Sequence, residues 1–331
     1  MAKRQRSADT RVPERLAELR SAVADGVSSI EILRPALADP HYRLVAAAAG
    51  YAGDGLHYGL EPDLIAAFRR LADLPHTQDP QCTAKGAIAR ALVALDSPDV
   101  AFFLAGIRLR QLEPAWGGSQ DTAIDCRVTC AVGLAATAYP RALPELTRLL
   151  ADPEPRVRAG AMEAIACCEP IAAESVLRTK AQAGDAEPEV AGACLLALLR
   201  LDAAPCAAFV GEFLDRDDAT LRELAALALG ESRLPEALAQ LRQRWDAAPY
   251  KGRTQQVLLK GAVLHRSEAA FDWLLALVAD GERRIAELVL RELAMYRGND
   301  RLRGRLADAL ARRGDEDLTA LFQRVWPGQG K

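Results

Sequence analysis

Leucines follow a helical spacing along residues 142–151, with apolar positions three and four residues apart. They are Leu143, Leu146, Leu149 and Leu150. A second helical stripe follows after a short break and consists of Val157, Ala161, Ala164 and Ile165. The break reads Asp152-Pro153, in which the aspartate can accept hydrogen bonds from free backbone N–H groups and the proline suits a first helical turn. Residues 142–167 are therefore predicted to form a helical hairpin.

Similar breaks recur along the chain and predict further hairpins. Asp-Pro pairs occur at residues 39–40 and 79–80, and lone aspartates precede comparable apolar stripes at positions 185, 215 and 280. The steps from 152 to 185 and from 185 to 215 are 33 and 30 residues, whereas the step from 39 to 79 is 40 residues. An irregular period of this length, with small residues in each second helix, is typical of two-helix solenoids.

The clearest unit carries a pattern that can be compared with known repeats. It reads L-x-x-L-x-x-L-L-x-D-P-x-x-x-V-R-x-x-A from Leu143 to Ala161 and is degraded elsewhere. The pattern resembles the HEAT repeat, in particular the bacterial type described as phycobilin-lyase-like, over most of residues 28–313. The resemblance implies an all-α fold, a right-handed α-solenoid (superhelix) of about eight HEAT-like helical hairpins. It also implies that Asp152 and Arg158 belong to a structural ladder between adjacent repeats.

The chain departs from this pattern in places. Asp185 and Asp215 lack a following proline, and Pro249-Tyr250-Lys251-Gly252 stands where another Asp-Pro pair would be expected. Two segments rich in glycine, Gly50–Gly59 and Leu112–Asp121, are predicted to lie between helices. The repeats beside these departures are expected to be distorted.

The predicted domain organisation is one continuous array with short tails. Residues 1–12 form a disordered basic tail, and residues 13–327 form a single HEAT-like α-solenoid. Within it, residues 28–313 contain the repeats and residues 314–327 form a C-terminal cap, since a terminal repeat must cover an otherwise exposed apolar face. Residues 328–331 form a flexible tail.

Composition supports the helical assignment and narrows the compartment. Half of the 331 residues are hydrophobic but only 5% are aromatic, so the core must consist mainly of Ala and Leu, and a β-sandwich or barrel is improbable. No apolar run is long enough for a membrane span, and no secretory signal follows the basic N-terminus. Seven cysteines without an export signal favour reduced thiols. A cytoplasmic protein is expected, without contact with a membrane.

The first candidate binding feature is the segment Trp116-Gly117-Gly118-Ser119. A tryptophan beside two glycines has few neighbours to bury it, and loops carry function more often than the elements they connect. The alternative, and the commoner fate of a tryptophan, is burial as a plug between two repeats.

Basic residues near the starts of second helices are the second candidate. Arg127, Arg156 and Arg253 represent this set, which could form a strip for acidic peptides or phosphates because helix starts stack along one edge of a solenoid. Acidic residues such as Asp125 and Glu154 stand close by, so a mixed, solvated edge is the alternative. The net charge of −3 is too balanced for a protein that coats nucleic acid through its overall field.

Catalytic and metal-binding patterns are missing from the sequence. The cysteines form no C-x-x-C pair, and no nucleophile elbow or phosphate-binding loop occurs. HEAT-type di-iron hydroxylases use His-Glu pairs, and this chain has none. No metal and no cofactor are therefore expected, and the chain is predicted not to be an enzyme.

The expected function is a non-catalytic HEAT-repeat scaffold that mediates protein–protein interaction through the surface formed by the stacked second helices. Its partner would be an unidentified protein or peptide. Two other classes stay open. A nucleic-acid-binding HEAT-like solenoid needs a basic groove, and Trp245 and Trp273, which could serve it, have apolar neighbours that favour burial. A bilin-lyase-like enzyme or enzyme subunit needs an exposed Cys82 or Cys126.

Overall fold

The computed structural model describes residues 11–24, 29–201, 203–247 and 253–327. Almost all of these residues outside turns are helical, which confirms the predicted all-α class. Their contacts divide the chain into two compact units, Met1–Val176 and Leu177–Lys331. The handedness of the array and its continuity over residues 13–327 stay predictions. The predicted tails lie outside the described residues, except that Arg11 precedes a helix that begins at Val12.

The N-terminal unit consists of one leading helix followed by consecutive helical hairpins. Its helices are α1 Val12–Ala24, α2 Ser29–Leu37, α3 Tyr42–Asp54, α4 Glu61–Ala72, α5 Thr83–Ala94, α6 Val100–Gly106, α7 Ile124–Ala136, α8 Ala142–Arg148 and α9 Pro155–Ile165. A further helix, α10 Pro170–Ala183, contains the division between the units. The second helices of successive hairpins, α3, α5, α7 and α9, pack against one another in chain order.

Small residues allow these second helices to approach closely. In α5 nearly the whole surface is buried, including Ala84, Ala87 and Ala91. At Gly160 in α9, an added Cβ would collide with the side chain of Val128 in α7. The Ala-rich, aromatic-poor composition is thus a requirement of the stacking, because larger side chains would force the helices apart.

The C-terminal unit repeats the same plan. Its helices are α11 Pro188–Leu199, α12 Ala203–Glu212, α13 Ala219–Ser232, α14 Pro235–Ala247, α15 Arg253–His265, α16 Glu268–Asp280, α17 Arg283–Leu293, α18 Asp300–Arg313 and α19 Glu316–Val325. Second helices α11, α13 and α15 pack in order, and a Cβ at Gly230 of α13 would collide with the backbone of Gly261 in α15. Pairs α2/α3 through α18/α19 give nine consecutive pairs in the described chain, close to the predicted eight hairpins.

The hinge aspartate accepts a backbone hydrogen bond just before the helix that it was predicted to cap. Asp152 Oδ1 accepts a hydrogen bond from Glu154 N (2.9 Å), but the helix begins at Pro155 rather than at Pro153. In the hinge assigned to Asp215, the capping carboxylate belongs to Asp218, which accepts from two backbone N–H groups of α13. Apolar periodicity places a hinge to within a few residues and does not show which aspartate caps it.

One of the two predicted interruptions lies between helices, as expected, and the other does not. Most of Gly50–Gly59 is helical, since α3 continues to Asp54. Leu112–Asp121 is a two-stranded antiparallel hairpin, with β1 Leu112–Ala115 and β2 Gly118–Asp121. The segment Pro249–Gly252 lies outside the described residues.

The last hairpin closes on a buried tryptophan. Trp326 follows α19, is fully buried, and its Nε1 donates to Leu290 O in α17 (3.3 Å). Trp326 thus joins the end of the chain's last described helix to α17, and the assignment of residues 314–327 as a cap stays a prediction. Among the described helices, none has both the length and the hydropathy of a membrane span.

Candidate interaction site at the Trp116 hairpin

The hairpin formed by β1 and β2, called here the Trp116 hairpin, lies between α6 and α7. Its register pairs Leu112 with Asp121 and Ala115 with Gly118, so that Trp116 and Gly117 form a two-residue turn. Gly117 has a φ of 89° and Gly118 a φ of 156°, which glycine adopts without the strain of a Cβ. The turn therefore explains the Gly-Gly pair.

Trp116 is fully exposed at the tip of this hairpin, with a relative accessibility of 106%. Leu112 and Pro114 on β1 are also exposed. The other three tryptophans, Trp245, Trp273 and Trp326, are buried. The alternative that Trp116 plugs a gap between repeats is therefore wrong, and its exposure is exceptional within the chain.

The base of the Trp116 hairpin is fixed by a carboxylate that the sequence analysis overlooked. Glu113 Oε1 accepts hydrogen bonds from Gln81 N (2.6 Å), Gln111 Nε2 (2.8 Å) and Thr122 Oγ1 (2.7 Å). Partial burial alone would raise the pKa of Glu113, but these hydrogen bonds outweigh it and lower the pKa below its ordinary value of 4.5. Glu113 is therefore an ionised anchor that ties β1 to the preceding hairpin.

A buried ion cluster supports the other strand. Arg127 on α7 is completely buried, and its Nη1 donates to Asp121 Oδ2 (2.6 Å) and to Leu109 O (2.9 Å). Its Nε lies 3.4 Å from Asp152 Oδ2. The half-exposed Arg110 donates to the same Asp152 oxygen at 2.7 Å. The prediction that Arg127 belongs to an exposed basic strip is wrong, because its guanidinium is used inside the fold.

The predicted ladder residues both make structural contacts. Asp152 connects the α8/α9 hairpin to the preceding one through Arg127 and Arg110. Arg158 Nη1 donates to the backbone oxygens of Asp152 (2.9 Å) and Pro153 (3.1 Å). The link from Asp152 to the preceding hairpin therefore runs through Arg127 and Arg110, and neither arginine belongs to the repeat pattern of Leu143–Ala161.

The remaining members of the predicted basic strip do not assemble a site. Arg156 is exposed and pairs with Asp125, at 2.8 Å between Nη2 and Oδ1, as the mixed-edge alternative requires. Arg253 begins α15, and its side chain lies outside the described residues. Ser119 is exposed on β2, beside the turn. Of the predicted binding residues, Trp116 through Ser119 are therefore brought together and Arg127 and Arg156 are not.

The cysteines nearest to the hairpin are buried rather than reactive. Cys82, Cys126 and Cys130 are all buried and unbridged. Hydrogen bonding with Cys126 and burial raise the pKa of the Cys82 thiol far above its ordinary value, and hydrogen bonding with Cys130 and burial raise that of Cys126. Neither Cys82 nor Cys126 is therefore the exposed nucleophile that the bilin-lyase hypothesis requires. In the described part of the chain, no three His, Cys, Asp or Glu side chains are placed to hold a metal ion.

The signal that could have revealed the hairpin lies in the sequence around the turn. Leu112–Asp121 has a Gly-Gly pair at its centre, flanked by short segments of equal length, which is a hairpin pattern. It was missed because Pro114 and the lack of β-branched residues disfavour a strand. The strands are short and are held by Glu113 and Asp121 rather than by a larger sheet.

Comparisons with known proteins add little to this geometry. No protein-family model and no curated protein matches the chain. Among solved structures, an engineered protein from a structural genomics consortium is 16% identical, with 93% of this chain and 90% of that chain covered and a TM-score of 0.33. Human deoxyhypusine hydroxylase in complex with glycerol is 18% identical, with coverages of 85% and 100% and a TM-score of 0.31. Likenesses at these scores bear on neither the family nor the chemistry of this chain.

Proposed function

We propose that this chain is a non-catalytic, HEAT-type scaffold for protein–protein interaction, and that the Trp116 hairpin makes its principal contact with a partner. The full exposure of Trp116 on an anchored hairpin carries the proposal. The stacked second helices supply the frame and, in this proposal, a secondary surface for the partner.

Burial of an exposed tryptophan by a partner is energetically favourable. Tryptophans are enriched among the residues that dominate interface energies, because they bury a large apolar area with few rotatable bonds. The hydrogen bonds to Glu113 and the ion pair of Asp121 already hold the strands in place. Little conformational entropy is then lost when a partner covers the turn.

The strand edges indicate the form of the partner. Thr122 N donates to Gln111 O (2.9 Å), and alternation from this pair makes Pro114 and Ser119 a non-hydrogen-bonded pair. Pro114 has no N–H, so the outer edge of β1 cannot form a full set of hydrogen bonds with another strand. By the same alternation, the N–H and C=O groups of Ser119 point away from β1, along the outer edge of β2. An extended segment that adds a strand to β2 and covers Trp116 with an apolar side chain fits both features.

The test is capture of partners from the native cells with the tagged protein, followed by titration of each purified partner. We expect Trp116→Ala to weaken binding about 30-fold or more, the effect of losing a contact worth about 2 kcal/mol. Met295→Ala removes another exposed apolar side chain and is the matched control, for which no change is expected. A partner that binds the Trp116→Ala protein as tightly as the wild type would rule out the hairpin as the contact.

Fluorescence provides an independent readout of the same contact. Trp116 is the one exposed tryptophan of four, so acrylamide should quench its emission selectively. Addition of a partner should protect this component and shift its emission to shorter wavelength. A bound partner that leaves the quenching of Trp116 unchanged would place the interface elsewhere.

A further inference from the structure

Two arginines contact a single carboxylate, and the charge of a third acts on it, where the turn after α6 meets α8. Glu145 Oε2 accepts from Arg108 Nη2 at 2.7 Å and contacts Arg148 Nη1 at 3.1 Å. Arg141, Glu145 and Arg148 lie on one face of α8 and its first turn, since they are spaced by four and three residues. Arg108 comes from the turn after α6. The four residues are called here the Arg108 cluster.

The carboxylate is held within the cluster while the cations face solvent. Only 11% of the Glu145 side chain is exposed, against 58% for Arg108 and 70% for Arg148. The hydrogen bond from Arg108 and the charges of Arg148 and Arg141 lower the pKa of Glu145, so it is ionised at neutral pH. The cluster therefore carries three positive charges and one negative charge.

No other acidic residue nearby in sequence neutralises the excess. Residues 100–151 contain five arginines and four acids. Besides Glu145, the acids are Glu113, Asp121 and Asp125, and each is engaged elsewhere in the contacts described above. Arg141 makes no ion pair or hydrogen bond through its side chain with any described residue. Glu145 is the one acid of the described chain that pairs with these arginines, so the Arg108 cluster has a net charge of about +2.

The donor geometry of the cluster favours one class of anion. Each guanidinium has five N–H donors arranged in a planar fork. Arg108 and Arg148 use one nitrogen each on the same Glu145 oxygen, so most of their donors remain available side by side. The guanidinium groups of Arg108 and Arg148 converge, and a third cation is close by. Together they match a tetrahedral dianion with several acceptor oxygens better than they match a single carboxylate.

We propose that Arg108, Arg141 and Arg148 form a binding site for a phosphate monoester dianion. Glu145 acts in this site as the internal counter-ion that holds Arg108 and Arg148 in place. The site includes no residue of the Trp116 hairpin and therefore goes beyond the scaffold function proposed above. It gives the surface of the N-terminal unit a second contact, which forms only with a ligand that carries a phosphoryl group.

The proposal is tested with inorganic phosphate as the probe, at pH 8 so that the dianion dominates and with chloride used to keep the ionic strength constant. Binding is measured by isothermal titration calorimetry and by ³¹P line broadening. We expect saturable binding to the wild-type protein. Arg141→Gln and Arg148→Gln should each weaken it about fivefold, as expected for loss of one partly exposed charged contact, and the double variant should show no saturation.

Arg156→Gln is the matched control, because Arg156 is as exposed as Arg148 but pairs one-to-one with Asp125. It should bind phosphate as the wild type does, and Trp116→Ala should do so as well. An equal loss in Arg156→Gln would show that phosphate follows overall charge only, and the proposal would be wrong. It would also be wrong if wild-type binding does not saturate or if Arg141→Gln/Arg148→Gln binds normally.

A second titration distinguishes the sources of the phosphoryl group. Free O-phosphoserine is compared with short peptides that carry phosphoserine, and with the same peptides unphosphorylated. Tighter binding of a phosphopeptide assigns the site to a modified protein, whereas equal binding assigns it to small phosphate esters. Equal affinity for phosphorylated and unphosphorylated peptides would contradict the site.

Discussion

Charged pairs at the hinges of the N-terminal unit are buried, whereas the Asp215 hinge of the C-terminal unit is exposed. Asp79 and Lys85 form a buried pair (3.0 Å), and Asp121 and Arg127 form another (2.6 Å). In the C-terminal unit, the hinge residue Asp215 is 64% exposed and meets Arg244 at 3.3 Å. The same residue types therefore have different energetic roles, because water screens the exposed pair but not the buried ones.

The C-terminal unit also joins its hairpins by contacts with backbone oxygens. His265 is buried, with Nε2 3.0 Å from Leu234 O and Nδ1 2.8 Å from Ser267 Oγ. Since a carbonyl only accepts, Nε2 carries the proton in this arrangement. Arg313 Nη1 donates to Val278 O (3.0 Å) and Gly281 O (2.7 Å). Such contacts need no buried counter-ion, because the acceptor is a neutral backbone oxygen.

The largest expected effect comes from removing the cation of a buried pair. Arg127→Met leaves Asp121 and Asp152 with only the half-exposed Arg110 as a charged partner. A buried carboxylate without its cation costs about 3–5 kcal/mol, so the free energy of unfolding should fall by about that amount. Urea unfolding followed by circular dichroism, with hydrogen exchange of the α7 amides, measures the change.

Two controls make this test specific to burial. Arg110→Met removes an arginine that contacts the same Asp152 oxygen but is 43% exposed, and Arg244→Met removes one from the C-terminal unit. Each should reduce the free energy of unfolding by no more than about 1 kcal/mol. If Arg127→Met were as mild as these two variants, burial would not be what separates the two units.

Much of the fold could be predicted because it depends on local periodicity. Leu143 to Ile165 carries two apolar stripes and an Asp-Pro break, and these features alone determine a helical hairpin. The burial of Arg127 was not predictable in this way, since its partner Asp152 is 25 residues further along the chain. One signal was present but unused: a cation follows Asp79, Asp121 and Asp152 by six residues in each case.

The residues of the Trp116 hairpin could be identified from the sequence, but its two strands could not. The Gly-Gly pair beside Trp116 identified the segment, while its strands depend on Glu113, whose three donors come from separate parts of the chain. The Arg108 cluster was missed for a similar reason. Arg108 and Glu145 are 37 residues apart, and no periodicity within one helix brings them together.

A smaller effect is expected from acid titration of the N-terminal ion cluster. Burial alone would raise the pKa of Asp121, but hydrogen bonds from Ala123 N and Gln111 N and the contact with Arg127 outweigh it and lower the pKa below its ordinary value of 3.8. A carboxyl whose pKa is lower in the folded state stabilises the fold above its unfolded pKa. This stabilisation is lost as the pH falls below about 4 and through the folded value.

Urea midpoints measured between pH 7 and pH 3 check this expectation. The wild type should lose stability below about pH 4, whereas Asp121→Asn should be less stable at pH 7 and change less over the acid range. Asp125→Asn, which alters an exposed acid paired with Arg156, should follow the wild-type profile. An Asp121→Asn protein with an unchanged acid slope would contradict the assignment of the pKa shift to this group.

The smallest effect on stability is expected from a short ion pair whose two side chains are exposed to solvent. Lys260 Nζ is 2.6 Å from Glu223 Oε1 in the C-terminal unit, and hydrogen bonding to Glu223 raises the pKa of Lys260 above its ordinary value of 10.5. The associated stabilisation is present at neutral pH and is lost only as the pH rises through the folded pKa. Both side chains are more than a third exposed, so Lys260→Met should change the free energy of unfolding by about 0.5 kcal/mol or less. The difference in the free energy of unfolding between Lys260→Met and the wild type should vanish in 1 M salt. A loss comparable to that of Arg127→Met would show that contact distance, and not burial, sets the strength of these pairs.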